Sequence, residues 1–133
     1  MSTVKKIKVF TSDDRGEITD IFTHEPKDHC TIVTFKKNAV RGNHFHKVSV
    51  QSAYVLEGNF EIHNVMIDKD LNFDPKKIEI IKTSKGDYIT HEKFEAHTYK
   101  CISETGSLMV FTKGVRGGKF YEDDTYRLKE KLI

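Results

Sequence analysis

The chain has 133 residues, with 37% hydrophobic side chains, 32% charged side chains and a formal net charge of +2. That size suits one domain with a sizeable core, and so small a charge, without a basic block interleaved with aromatics, gives no footing for nucleic-acid binding. No apolar run approaches membrane-spanning length, the first residues lack the apolar stretch of a signal peptide, and Cys30 and Cys101 lack CxxC spacing, so a reduced cytoplasmic protein is expected.

Most segments are short, rich in Val, Ile, Thr, Phe and Tyr, and broken by turn residues. Residues 4–10 are predicted as a first strand, and residues 12–16 as a turn. Residues 17–22 mix polar and apolar side chains and are predicted as a strand with one face on the core. A compact apolar strand is expected over 30–35. The next stretch, Arg41-Gly42-Asn43-His44-Phe45-His46, holds two histidines two apart. Strand residues alternate faces, so His44 and His46 share one face and Phe45 takes the other, as core or subunit contact. Gln51 is an odd number of residues beyond His46 and joins that face only across a bulge or turn.

Glu57-Gly58-Asn59 is a turn signal before a strand over 59–67, with Phe60, Ile62 and Val65 inward and His63 towards solvent. A polar loop containing Pro75 leads to a strand over 77–82, and a turn over 84–87 follows. Segments 88–90 and 96–102 are predicted strands flanking a loop that carries His91 and Glu92. Residues 107–112 are predicted as a late core strand, followed by the turn Gly114–Gly118; Arg116 and Lys119 there and just beyond are read as solvated, with a phosphate contact as the alternative. The tail from Tyr121 to Ile133 reads as a strand or a helix, with Leu128–Leu132 leaning helical. His24, His29 and His91 are read as ordinary loop residues, His91 being the one nearest the second histidine segment. Arg15 is divided between a structural ion pair and a substrate contact. About nine or ten close-spaced strands without helical periodicity predict an all-β barrel or jelly roll.

The spacing His44-x-His46, four residues, Gln51, six residues, Gly58 resembles the first motif of the cupin superfamily, with Gln51 where Glu is usual and Asn38 where the leading Gly is usual. Gly86 and His97, eleven residues apart, match the second motif's Gly-to-His interval. The rest of that motif departs: Glu92 stands in place of Pro, Phe94 of Gly and Cys101 of Asn. Asp14-Arg15-Gly16 and Arg41-Gly42-x-His44-x-His46-Lys47 with Gln51 are similar to the bacterial sugar-nucleotide cupins, the 3,4-ketoisomerases most of all and the 3,5-epimerases beside them. The tryptophan-bearing segment of the ketoisomerases is absent, because the chain has no Trp. The ending around Asp124-Thr125-Tyr126 resembles the cupin domain of bifunctional capsule-sugar reductases, a group that binds zinc.

The resemblance implies a single cupin domain over 1–133, a double-stranded β-helix or jelly-roll barrel, and chemistry on a nucleotide-linked sugar. A 4-keto sugar has acidified protons beside its carbonyl, and an imidazole suits their removal at neutral pH. His44 or His46 is the candidate base and the other a shuttle, with Tyr99 or Tyr54 as acid, between which nothing in the sequence chooses. Arg41, Asn43, Lys47 and Gln51 are the candidate substrate-binding residues, Arg41 for the diphosphate or the enolate. The expectation is no cofactor. The alternative is a divalent metal such as Zn held by His44, His46, His97 and Gln51 in a metal-dependent enzyme. A non-catalytic sugar-binding cupin is the third reading. Small jelly rolls hide strand edges by pairing, so a homodimer is expected.

Overall fold

The computed structural model describes residues 2–120 and 122–133. Met1 and Tyr121, the latter named above as the start of the tail, lie outside the described residues. The described residues form twelve strands: β1 (Thr3–Lys6), β2 (Thr11–Asp13), β3 (Gly16–Ile18), β4 (His29–Lys36), β5 (Val40–Phe45), β6 (Val50–Glu57), β7 (Phe60–Met66), β8 (Glu79–Thr83), β9 (Asp87–His91), β10 (Glu95–Cys101), β11 (Thr105–Lys113) and β12 (Tyr126–Arg127). Ten of them form two antiparallel five-stranded sheets. Sheet 1 runs β1-β9-β6-β11-β4 and sheet 2 runs β12-β5-β10-β7-β8, while β2 and β3 make a small hairpin. Neighbours distant in sequence alternate between the sheets, which is the jelly-roll arrangement the cupin resemblance implies. Among the described residues no helix is long and apolar enough to cross a membrane.

Alternation puts one face of each sheet on the core. Phe35, Val55, Phe60, Ile62, Ile89, Tyr99, Cys101 and Leu108 fill the space between the sheets. A second cluster, Phe45, Val65, Ile67, Ala96 and Leu132, lies on the opposite face of sheet 2. The chain end covers it: Asn43 accepts from the Leu132 backbone N–H at 2.7 Å, and Leu128 and Leu132 pack there. Phe45 is thus core, sandwiched between Phe94 and Tyr126 at centroid distances of 6.2 and 5.5 Å.

Several sequence expectations are corrected. The tail is not helical. It makes the two-residue β12 and then runs without regular structure, because its leucines serve an outer sheet face and its backbone bonds Asn43. Val65 points outward into the second cluster, and Asn64 takes the inward place beside Ile62. The predicted strand over 17–22 shrinks to the exposed β3, and Phe22 crosses instead to stack edge-on against Phe111 at 4.9 Å. His91 belongs to β9 rather than to a loop. His63 lies away from the inner face, as expected, and bonds Glu61 at 2.7 Å. Arg15, at the exposed hairpin tip, pairs with Asp13 at 2.6 Å. Cys30 is exposed, Cys101 is buried, and both are free.

Candidate functional site

One irregularity in β5 sets the geometry of the site. β5 pairs with β10 as His44↔His97, then Gly42↔Thr98 and Arg41↔Tyr99, so Asn43 is an extra residue between paired positions. Gly42 (φ +114) and Asn43 (φ +54) both take positive φ there. A Cβ on Gly42 would meet the His97 carbonyl oxygen at 2.6 Å, so only glycine fits the close approach. The bulge returns Arg41 to the inner face that His44 occupies, which strict alternation does not anticipate.

The ladders then align two rows of side chains, inward except for the exposed Arg127, which pairs with Glu122. In sheet 1, His29↔Thr112, Thr112↔Gln51 and Gln51↔His91 are successive partners. In sheet 2, Arg127↔His44, His44↔His97 and His97↔Asn64 are successive partners. Gln51 therefore reaches the histidines from the opposite wall. The turn foreseen as necessary exists at 47–49, where Asp124 accepts the backbone N–H groups of Lys47, Val48 and Ser49 at 2.8–3.1 Å. Burial pushes the Asp124 carboxyl up, but the Ser49 hydroxyl and these amides outweigh it and hold the carboxyl below its usual range. Asp124→Ala should leave those three amides without an acceptor. We expect a loss of about 2–3 kcal/mol in urea unfolding, and a change under about 0.5 kcal/mol would show that solvent replaces the carboxylate.

His44, His46 and His97 come together, with ring centroids 4.9, 4.8 and 5.4 Å apart for the pairs 44–46, 44–97 and 46–97. Nδ1 of His46 lies 2.7 Å from the Asp124 carbonyl oxygen, and Nδ1 of His97 lies 3.0 Å from the Glu95 carbonyl oxygen. A carbonyl can only accept, so both Nδ1 atoms carry the proton and both Nε2 atoms keep a lone pair. Those Nε2 atoms, and Nδ1 of His44, are buried and have no hydrogen-bond partner among the described residues. Three unpartnered imidazole nitrogens thus face a shared space.

Electrostatics keep the rings neutral. Burial, helped by the fields of His46, Arg116 and Arg127, pulls the His44 pKa down to about 3. Burial also lowers His46, with Arg116 adding to it, against the raising effect of the Asp124 carbonyl and the Gln51 amide. Burial drives His97 well down, and the fields of His91, His44 and His46 add to it.

Behind His97 is a second layer, most of which the sequence reading missed. His91 stacks on His97 at 4.3 Å and 6°. Its Nε2 is 2.6 Å from the Tyr99 hydroxyl and its Nδ1 is 2.7 Å from Ser2 Oγ. Glu95, fully buried, accepts from Asn64 Nδ2 at 3.1 Å and from the Glu92 backbone N–H at 2.9 Å. Burial pushes the Glu95 carboxyl up, but its partners His91, Glu92 and Ser2 outweigh this and hold it low. Burial pushes the Tyr99 phenol up, so it stays protonated. The sequence reading names Tyr99 as a candidate acid and notes His91 near the second histidine segment, but does not join them. Glu95 gave no signal, and Asp124 entered only through the resemblance of the chain's ending, since their roles depend on which amides fold against them.

The candidate binding residues are dispersed. Gln51 sits in the site, its Nε2 donating to Thr112 Oγ1 at 3.3 Å. Arg41 is at the exposed rim, stacked on Phe35 and donating to the Thr34 carbonyl at 3.4 Å. Asn43 faces the other way and is spent on the chain end. Lys47 lies over the Tyr126 ring at 4.1 Å. Arg116, read from sequence as a solvated turn residue, is half-buried, donates to Thr125 Oγ1 at 2.9 Å and acts on His44 and His46.

The sequence model of the polysaccharide biosynthesis C-terminal domain matches residues 11–114. The chain belongs to that family. Those residues carry all three clustered histidines of this polysaccharide biosynthesis C-terminal domain. No curated protein matches it. Among solved structures, it is similar to QdtA, a sugar 3,4-ketoisomerase from Thermoanaerobacterium thermosaccharolyticum in complex with TDP, with 19% identity, a TM-score of 0.75, and 96% of this chain and 88% of that one covered. It is also similar to WlaRA, a TDP-fucose-3,4-ketoisomerase from Campylobacter jejuni, with 18% identity, a TM-score of 0.72, and coverage of 93% and 87%. The 3,5-epimerase RmlC from Legionella pneumophila shares 14% identity, with a TM-score of 0.75 and coverage of 96% and 72%. At these identities the likeness is one of fold, and this domain of the polysaccharide biosynthesis family has the cupin fold of those enzymes.

Proposed function

We propose that the chain is an isomerase or epimerase of a nucleotide-linked 4-keto sugar, working by histidine-mediated proton transfer in surface-polysaccharide synthesis. The observation that carries this is the pair of unprotonated Nε2 atoms on His46 and His97, each fixed by a backbone carbonyl on the other ring nitrogen. A base held in the correct tautomer beforehand need not reorganise when it takes a proton. In this reading Nε2 of His46 removes the proton beside the sugar carbonyl. The carbon–hydrogen electron pair becomes the double bond of an enediolate, and charge moves to oxygen. Arg116 and Arg127, whose fields reach His44, supply positive charge for that oxygen or for the diphosphate. Arg41 at the rim is the further diphosphate candidate. The ketoisomerase QdtA has been seen with TDP, which supports a nucleotide-linked substrate. A cytoplasmic homodimer, as expected from the sequence, is part of the same reading.

One observation favours a second reading. Three neutral imidazoles offer ligand atoms all within 4.8 Å of one another, which is a donor set for a divalent ion such as zinc. A tetrahedral ion with bonds of about 2.1 Å brings its ligands within roughly 3.4 Å of one another, so the rings would have to close in. The carbonyl bonds on Nδ1 of His46 and His97 are the outer partners that metal-bound histidines use. His44, His46 and His97, with Gln51 beside them, would hold the ion, and a bound ion would polarise a sugar carbonyl.

Incubation with TDP-4-keto-6-deoxyglucose and related 4-keto sugar nucleotides in D2O tests the main reading. We expect deuterium beside the carbonyl and a new isomer, undiminished by a chelator. Absence of both across the panel overturns the isomerase reading, and loss of both on chelation favours the metal.

A further inference from the structure

Completing either reaction needs a second proton transfer, and inversion at one carbon needs a donor on the face of the enediolate opposite the base. His29 is placed to provide it. On β4 it shares a face with Thr31, Val33 and Phe35, and Val33 and Phe35 pack into the core between the sheets. It therefore points inward. Its ladder partner is Thr112, fully buried, which accepts from Gln51 within the site. His29 thus ends the sheet 1 row, two strand spacings of about 4.8 Å from Gln51. His44 and His97 stand in the facing row of sheet 2.

Two further features mark His29. Its Nδ1 is buried and makes no hydrogen bond among the described residues. A buried polar atom without a partner costs about 1–3 kcal/mol, so the position carries a penalty that packing alone gives no reason to keep. The ring is also held in place by the loop that carries Arg116. Gly117 (φ +87) lies against it so closely that a Cβ there would fall 2.4 Å from His29 Cδ2.

We propose that His29 is a catalytic residue, the proton donor that ends the reaction from the wall opposite His46; this rests on the isomerase reading given above. His46 Nε2 takes a proton from the carbon beside the carbonyl, and the released pair makes the carbon–carbon double bond. Protonated His29 then delivers its proton to an enediolate carbon, and the double-bond pair becomes the new carbon–hydrogen bond. Delivery to the same carbon from the other face gives an epimer. Delivery to the neighbouring carbon gives an isomer, in which the hydroxyl of the first carbon becomes the carbonyl and its proton passes to the former carbonyl oxygen. His46 returns its proton to solvent and His29 regains one, so no oxidant or reductant is needed.

The proposal predicts a split between the two steps. In D2O, His29→Gln should still wash deuterium in beside the carbonyl at a rate within about threefold of the wild type, since His46 is untouched. Its product formation should fall by about 100-fold or more. Gly117→Ala, which leaves the imidazole in the chain but crowds it, should show the same split to a smaller degree. Matching thermal unfolding of both variants and the wild type excludes a folding defect. Product formation by His29→Gln within threefold of the wild type overturns the role of His29. So does a parallel loss of exchange and turnover, because the residue would then serve the first step or the fold. A wild type that neither exchanges nor turns over defeats the isomerase reading itself, and the assignment of His29 falls with it.

Discussion

Replacement of His46 by asparagine is expected to lower turnover by about 10²–10⁴-fold while leaving the fold intact. The carboxamide can still donate to the Asp124 carbonyl that His46 Nδ1 now meets at 2.7 Å. What it lacks is a basic nitrogen where Nε2 now stands unpartnered. Because that nitrogen makes no bond in the folded protein, its removal should change stability by less than about 1 kcal/mol. Initial rates on the 4-keto sugar nucleotide, read beside urea unfolding, separate the two effects. Turnover within threefold of the wild type would remove His46 as the base. A large stability loss alongside lost turnover would make its role structural.

The second large effect is a loss of stability in acid, beginning where it costs most proteins little. An unfolded histidine takes its proton near 6.5, whereas folded His44 holds off until about 3. Below pH 6.5 the unfolded chain therefore binds more protons, and stability falls as pH falls, by about 1.4 kcal/mol per unit for each ring kept neutral. Above 6.5 the stabilising difference is fully present. His46 and His97 are lowered in the same direction, and among the described residues their free nitrogens have no hydrogen-bond partner. Between pH 7 and pH 5, His44 alone should account for about 2 kcal/mol. Glu95 and Asp124, both held below their usual range, add to the loss only in stronger acid, as pH falls below their ordinary values. Urea midpoints at pH 7, 6 and 5 measure this, and His44→Gln should flatten the profile. A wild-type midpoint that does not move between pH 7 and 5 would mean the three rings are not kept neutral by the fold.

Local rules carried the sequence reading a long way, but only as far as local geometry holds. The alternation in 30–35 matches β4, whose inward side chains are Val33 and Phe35. The 44–46 spacing identified two of the clustered histidines, and the Gly86-to-His97 interval identified the third. Alternation failed at Asn43, where one extra residue changes which side chains face inward, and at the tail, where a helical-looking leucine pattern covers a sheet face. It also left His29 and His91 as loop residues, though both end strands whose partners lie far along the chain.

The order of residue types by itself determined an all-β chain with three imidazoles at matched intervals, because strand period and turn chemistry act over a few residues. Only the folded chain decided which nitrogen of His46 and of His97 is free, since the carbonyls that bond them belong to Asp124, 78 residues from His46, and to Glu95 at the start of β10. It likewise decided that His29, Gln51 and His91 share one row of ladder partners and that His91 stacks on His97. Such rows are products of ladder register between distant strands, and register is settled by the burial of two whole sheet faces at once.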